Sequence, residues 1–255
     1  MITFSEAQLM AWLTPVLWPF LRVLAVFTAA PIFSSRAIPV RARIALAFLI
    51  ALAAQPSMPP VPVTDLNGPD VLGLVVQQVG IGLAIGFVVR LVFAAFEFAG
   101  EVVGFQMGLN FAAFFDPSLN AQSSAVARFF GYMASLLFVV LNGHLMVLMA
   151  VNRSFEAFPV TQNFLEALRL MQLHTLGAEL FASALWIALP MIAMLMFTNL
   201  ALGIISRVAP QMNIYAIGFP ITLSVGLVGM AATLPLLDRP FVALLERAID
   251  LFSAR

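Results

Sequence analysis

Residues 176–206 hold a single ionisable side chain, Glu179, and that run is one of six. The others cover residues 7–33, 38–54, 71–105, 126–151 and 213–237. A helix crosses a hydrocarbon layer with about 20 apolar residues, so five of the runs suffice. The second reaches only about 26 Å at about 1.5 Å per residue, and it begins beside Arg41 and Arg43. The third and fifth are long enough to project beyond a bilayer. The runs are mostly apolar on every side, the pattern of helices that face lipid or protein rather than water. The expectation is an all-α, integral-membrane-type chain of about six long hydrophobic helices in helical hairpins.

Composition excludes several functions. Of 255 residues, 62% are hydrophobic and 9% charged, whereas soluble domains carry about 25% charged residues. So few ionic groups cannot solvate a free surface, which rules out a soluble enzyme. A net charge of zero argues against a nucleic-acid partner. No cysteine is present, which removes disulfides, thiolate nucleophiles and thiolate metal sites. The first charge is Glu6 and the first arginine Arg22. The N-terminal run therefore lacks the basic start of a cleavable signal and is expected to stay in the mature protein.

Between the runs, residues 55–70 contain Pro56, Pro59, Pro60, Pro62 and Pro69 and read as an extended loop. Residues 153–173 mix Glu156, Glu166 and Arg169 with apolar side chains, as in a short interfacial helix. No internal repeat is visible. Arg36, Arg41 and Arg43 crowd the first inter-helix loop, and Arg207 sits in the fifth. The positive-inside rule places both loops in the cytoplasm and, with six crossings, both termini outside.

Three places in the chain demand an explanation. On a helix, Arg90, Glu97 and Glu101 fall on one narrow face. Facing lipid, each would cost about 2.5–3.5 kcal/mol, so the face must meet water, protein or opposite charge. A salt-bridge ladder or a subunit-packing face satisfies this, and Arg22 in the first run poses the same problem without a legible partner. The stretch 104–125 alternates Phe105, Phe111, Phe114 and Phe115 with Gln106, Asn110, Asp116, Asn120 and Gln122. It is too polar to span lipid and too aromatic for an ordinary loop, and Gly104, Gly108 and Asp116-Pro117 are expected to break a helix there. A re-entrant or constricting loop or a plain connector both fit. Finally, residues 207–220 join the last two runs: Arg207 complements a helix C-terminus, Pro210 stops it, and Asn213 can cap the next helix. Gly218 and Pro220 then loosen or kink that helix.

No HExxH, GxSxG or phosphate-loop motif occurs, and His144 and His174 stand far apart. Neither catalytic residues nor a metal or cofactor is expected. The residues leave one rival open, a secondary transporter using Arg22 and the Arg90–Glu101 face, which inverted repeats would mark and which show none.

At these residues the chain resembles the FliR family of flagellar type III export-gate proteins, over essentially its whole length. The resemblance rests on RVLAVFTAAPIFSSRAIPVRAR (22–43), QMGLNFAAFFDP (106–117), NGHL (142–145) and RVAPQMNIYAIGFP (207–220). It implies an export-gate unit of a larger helical-array complex, with 1–172 FliP-like and 173–255 a FliQ-like hairpin plus C-terminal tail. Implied partners are FliP-like and FliQ-like subunits, an FlhB-like protein at the cytoplasmic entrance, membrane lipid and unfolded flagellar substrates. The implied location is the bacterial inner membrane at the flagellar basal body. A plug loop then corresponds to 104–125, making Gln106, Met107, Gly108, Asn110, Phe111, Phe114, Phe115, Asp116 and Pro117 candidate plug or pore residues. Arg22, Arg90, Glu97 and Glu101 become candidates for buried charge or subunit packing. Arg207, Pro210, Gln211, Asn213, Gly218 and Pro220 form the expected cytoplasmic-side hairpin.

Overall fold

The computed structural model describes residues 6–58, 68, 71–109, 123–160, 176–211 and 214–253. Its helices are α1 (Glu6–Ala29), α2 (Val40–Ala54), α3 (Val71–Gln106), α4 (Ala125–Val140), α5 (Gly143–Ala157), α6 (Leu176–Val208), α7 (Ile214–Thr233) and α8 (Asp238–Asp250). Short 3₁₀ turns follow α2 at Gln55–Ser57 and α7 at Leu234–Leu236. The chain is all-α, with no strand among the described residues.

Among the described residues, four segments are long and apolar enough to cross a membrane: Trp12–Ala29, Val71–Gln106, Leu176–Val208 and Ala216–Leu236. A fifth is added if α4 and α5 count as one broken span. Four or five such segments among the described residues stand beside the six apolar runs of the sequence. At 15 residues α2 is a short helix, as its length already suggested, and Pro56 stands in the turn that follows it. The fourth run is two helices. Asn142 takes left-handed φ 56° and ψ 31°, and its carbonyl accepts from the N–H of Leu145 at 2.9 Å to start α5. Asparagine tolerates that region, and glycine follows it. Residues 153–157, expected to open a separate interfacial helix, are instead the last turns of α5; the rest of that stretch, 161–173, lies outside the described residues.

The C-terminal tail contains an unanticipated helix. In α8 the buried residues Phe241, Leu245, Ala248 and Ile249 recur at helical spacing, with Phe252 just beyond. Asp238 opens it, its carboxylate accepting from the N–H of Arg239 at 2.7 Å.

The chain divides into two compact units. The first takes Met1–Leu91, Leu141–Leu176 and Leu245–Arg255. In it α1 and α2 form a hairpin, with Phe20 and Phe48 edge-on at 6.2 Å. Beyond α1 the backbone turns sharply at Ile32 (φ 68°), closed by the Phe33 N–H on the Pro31 carbonyl and by Phe33 stacked on Phe27 at 4.5 Å. The first half of α3 lies against α1: a Cβ on Gly82 would strike the Arg22 carbonyl, and one on Gly86 would lie 2.6 Å from the Ala29 Cβ. Such small residues let helix backbones approach where dispersion, not water, drives packing.

The second unit takes Val92–Val140 and Gly177–Leu244. Its core is aromatic: Phe93 meets Phe138 at 5.6 Å, and Phe241 meets Phe93 at 6.1 Å and Phe96 at 5.5 Å. These are tilted and edge-to-face pairs, which rings prefer. Gly100 brings α3 onto α4, because a Cβ there would sit 2.6 Å from the Ala127 Cα.

Candidate functional site

Two polar constructions stand out, one in each unit. In the first, Arg22 is fully buried in α1. Its Nε donates to Gln78 Oε1, one terminal nitrogen to Ser154 Oγ and the other to the Phe158 carbonyl, each at 2.9 Å. The guanidinium carbon lies 3.6 Å from the centre of the Phe155 ring. Charge-assisted hydrogen bonds and a cation–π contact compensate a cation withdrawn from water. The partner that sequence could not name is therefore a set of neutral groups on α3, α5 and the residues just after α5.

The second construction frames the stretch 104–125. Helix α3 does not break at Gly104 as expected but runs to Gln106. Gly104 serves close packing instead: a Cβ there would lie 3.0 Å from Ser124 Oγ. The turn comes at Gly108, with φ +80°, a backbone conformation that glycine adopts without penalty. Just before it, fully buried Met107 is tied to α7: its carbonyl accepts from Thr222 Oγ1 at 3.3 Å, and its side chain fills the space left by Gly226. Gly108 itself rests on the Phe219 ring. At the far end, Glu101 Oε1 accepts from the Ser124 N–H at 2.8 Å, and Ser124 Oγ accepts from the Ala127 N–H at 3.1 Å, capping α4. Both ends of the stretch are thus anchored in the same unit.

Gln106 is half-buried, and its Oε1 is enclosed without a hydrogen-bond partner. It borders a shallow cavity of about 300 Å³ with Glu101, Val102 and Phe105. Asn110, Phe111, Phe114, Phe115, Asp116 and Pro117 lie outside the described residues.

The charged face of α3 is arranged unevenly. Arg90 and Glu97 are exposed on this chain and Glu101 is half-buried. Glu97 lies over Gly131 of α4, its Oε1 3.0 Å from where a Cβ would be. In the last hairpin, Arg207 occupies the final turn of α6, and Pro210 and Gln211 follow it, all exposed. Gly218 is buried and Pro220 exposed, and both lie within α7, which continues past the proline. Asn213 lies outside the described residues.

Sequence reasoning did not single out Gln77, Gln78 and Ser154 around Arg22, nor Ser124, Phe219, Thr222 and Gly226 around the 104–125 stretch. The adjacent Gln77-Gln78 pair inside an apolar run was the available signal for the first group. The second had none, since single threonines and glycines are common in such helices. Among the described residues no group of three or more His, Asp or Glu is placed to hold a metal ion.

Residues 13–248 match the family model described as bacterial export proteins, family 1. The chain is 40% identical over 256 residues to the flagellar biosynthetic protein FliR of Pectobacterium carotovorum subsp. carotovorum, covering 99% of this chain and 97% of that protein. It is 41% identical to the FliR of Escherichia coli strain K12 over 93% of this chain and 90% of the relative. The FliR of Bacillus subtilis strain 168 is 30% identical over 82% of each.

Proposed function

Because the chain belongs to the FliR family of bacterial export proteins, we propose that it is a subunit of a flagellar type III export gate. In this reading it helps form and seal the conduit through which unfolded flagellar substrates cross the inner membrane. It works beside FliP-like and FliQ-like subunits and an FlhB-like protein at the cytoplasmic entrance. Residues 1–172 are the FliP-like part and 173–255 the FliQ-like part. The near full-length match to FliR proteins carries the proposal.

Physical features support it. Helices α6 and α7 present long apolar faces that this chain does not cover, including Trp186, Phe197, Ile204 and Val228, as expected of a subunit enclosed by others. The plug role falls to residues 104–125. Support for it comes from their anchored ends, with Met107 tied to Thr222 and Ser124 tied to Glu101. A loop held at both ends can block a path without being carried away by what passes. Arg90 and Glu97, exposed on the single chain, suit contact with neighbouring subunits.

The test has two stages. Removing the chain from its host should abolish secretion of flagellar subunits, and restoring it should recover secretion; export that continues without it overturns the reading. Deleting residues 108–124 should then leave the complex assembled but leaky to small solutes. Unchanged permeability of such a complex counts against the plug.

A further inference from the structure

We propose that Arg22 is a positioning residue: from α1 it fixes the point at which the chain leaves α5. Helix α5 ends at Ala157, and Phe158 follows with φ −131° and ψ 76°, outside helical geometry. The Phe158 N–H still bonds the Ser154 carbonyl at 2.9 Å, while its own carbonyl stands at the end of the helix, where carbonyls lack an intrahelical donor. Arg22 supplies that donor at 2.9 Å. The next carbonyl, of Pro159, accepts from Gln77 Nε2 at 3.2 Å. Gln77 is in turn joined to Arg22, since Gln78 donates to Gln77 Oε1 at 3.1 Å while accepting from Arg22 Nε. Two consecutive carbonyls beyond α5 are therefore held by one connected set of side chains from α1 and α3.

The chemistry needs arginine. Three acceptors in different directions are reached by one planar fork, which the point charge of lysine cannot reproduce. Arg22 cannot slide along α1 to relax, because Gly82 packs directly on its carbonyl. A buried cation among neutral partners is a poor route to stability, since apolar replacement of such networks is often neutral or favourable. What it supplies is direction: Ser154, Phe155 and Phe158 meet the guanidinium in one register only. This inference does not depend on the export reading, because it concerns the geometry of the chain itself.

The chain has no cysteine, so engineered thiol pairs can be read in membranes without background. Gly73→Cys with Pro159→Cys, bridged by a short bis-maleimide, reports the exit from α5: Gly73 lies one turn before Gln77 on α3, both positions are exposed, and a Cβ on Gly73 meets nothing within 4 Å, so the network itself stays intact. Phe20→Cys with Phe48→Cys reports the α1–α2 hairpin. With Arg22 present both pairs should bridge. Arg22→Met should lower bridging of the 73–159 pair at least fivefold and leave the 20–48 pair unchanged, and Arg22→Lys should not restore it. Undiminished 73–159 bridging in Arg22→Met overturns the proposal, as does equal loss at both pairs, which marks a general stabiliser. Should Arg22→Met fail to accumulate, Ser154→Ala decides. It removes one acceptor and should lower 73–159 bridging about threefold with the 20–48 pair intact; no change there overturns the proposal too.

Discussion

Glycines of the same type and the same helical setting carry opposite consequences here. At Gly100 the nearest neighbours of an added Cβ are the Ala127 Cα and the Val126 carbonyl, which are backbone atoms and cannot rotate away. Gly100→Ala must push α3 off α4 and should destabilise the second unit by about 1–3 kcal/mol. At Gly203, inside α6, an added Cβ meets nothing within 4 Å. Gly203→Ala should instead stabilise by roughly 0.5–1 kcal/mol through helix propensity. Denaturant titration of the two variants in the same detergent compares them directly, and the two midpoints should move in opposite directions. The sequence alone marks every such glycine as a candidate breaker. Only the neighbour decides, which is why Gly104 was expected to end α3 and instead packs against Ser124.

At the scale of helices, α8 shows what apolar runs hide. Its charged residues Asp238, Arg239, Glu246, Arg247 and Asp250 drop it below any threshold for a spanning segment, so a reading keyed to hydropathy passes over it. Yet Phe241 is fully buried against Phe93 and Phe96. Phe241→Ala should cost about 3–5 kcal/mol, a loss that protease resistance of the purified protein would register. A variant as resistant as the parent would mean that α8 is not seated there. The long helices were legible because nearly unbroken apolar sequence leaves few alternatives. The break between α4 and α5 was not, because two residues, Asn142 and Gly143, barely alter a 20-residue average. The Arg22 cage was half legible: a cation in an apolar run needs partners, but which of many polar residues converge on it is settled by packing alone.

For the molecule as a whole, the uneven covering of its helices sets how it can exist. Of the apolar windows, 61% of that in α3 is buried by this chain, against 28% in α6 and 22% in that of α7. The first is a core element of its own fold; the other two leave their surface for lipid or for other chains. Purified alone in mild detergent, the chain should therefore lose monodispersity within hours, and co-expression with its FliP-like and FliQ-like neighbours should prevent this. Size-exclusion profiles followed over time would show it, and a single chain stable for days would contradict it.

The hold of Arg22 on Ser154 also sets a clock. Ser154 is made 132 residues after Arg22, a delay of roughly 7 to 26 s at about 5–20 residues per second on the ribosome. Gln78 follows Arg22 by only 56 residues, but through the rest of that interval the two terminal nitrogens of the guanidinium have final acceptors that have yet to be synthesised. Insertion machinery, water at the bilayer surface or lipid phosphate has to shelter it, and the fifth helix relieves them when it arrives.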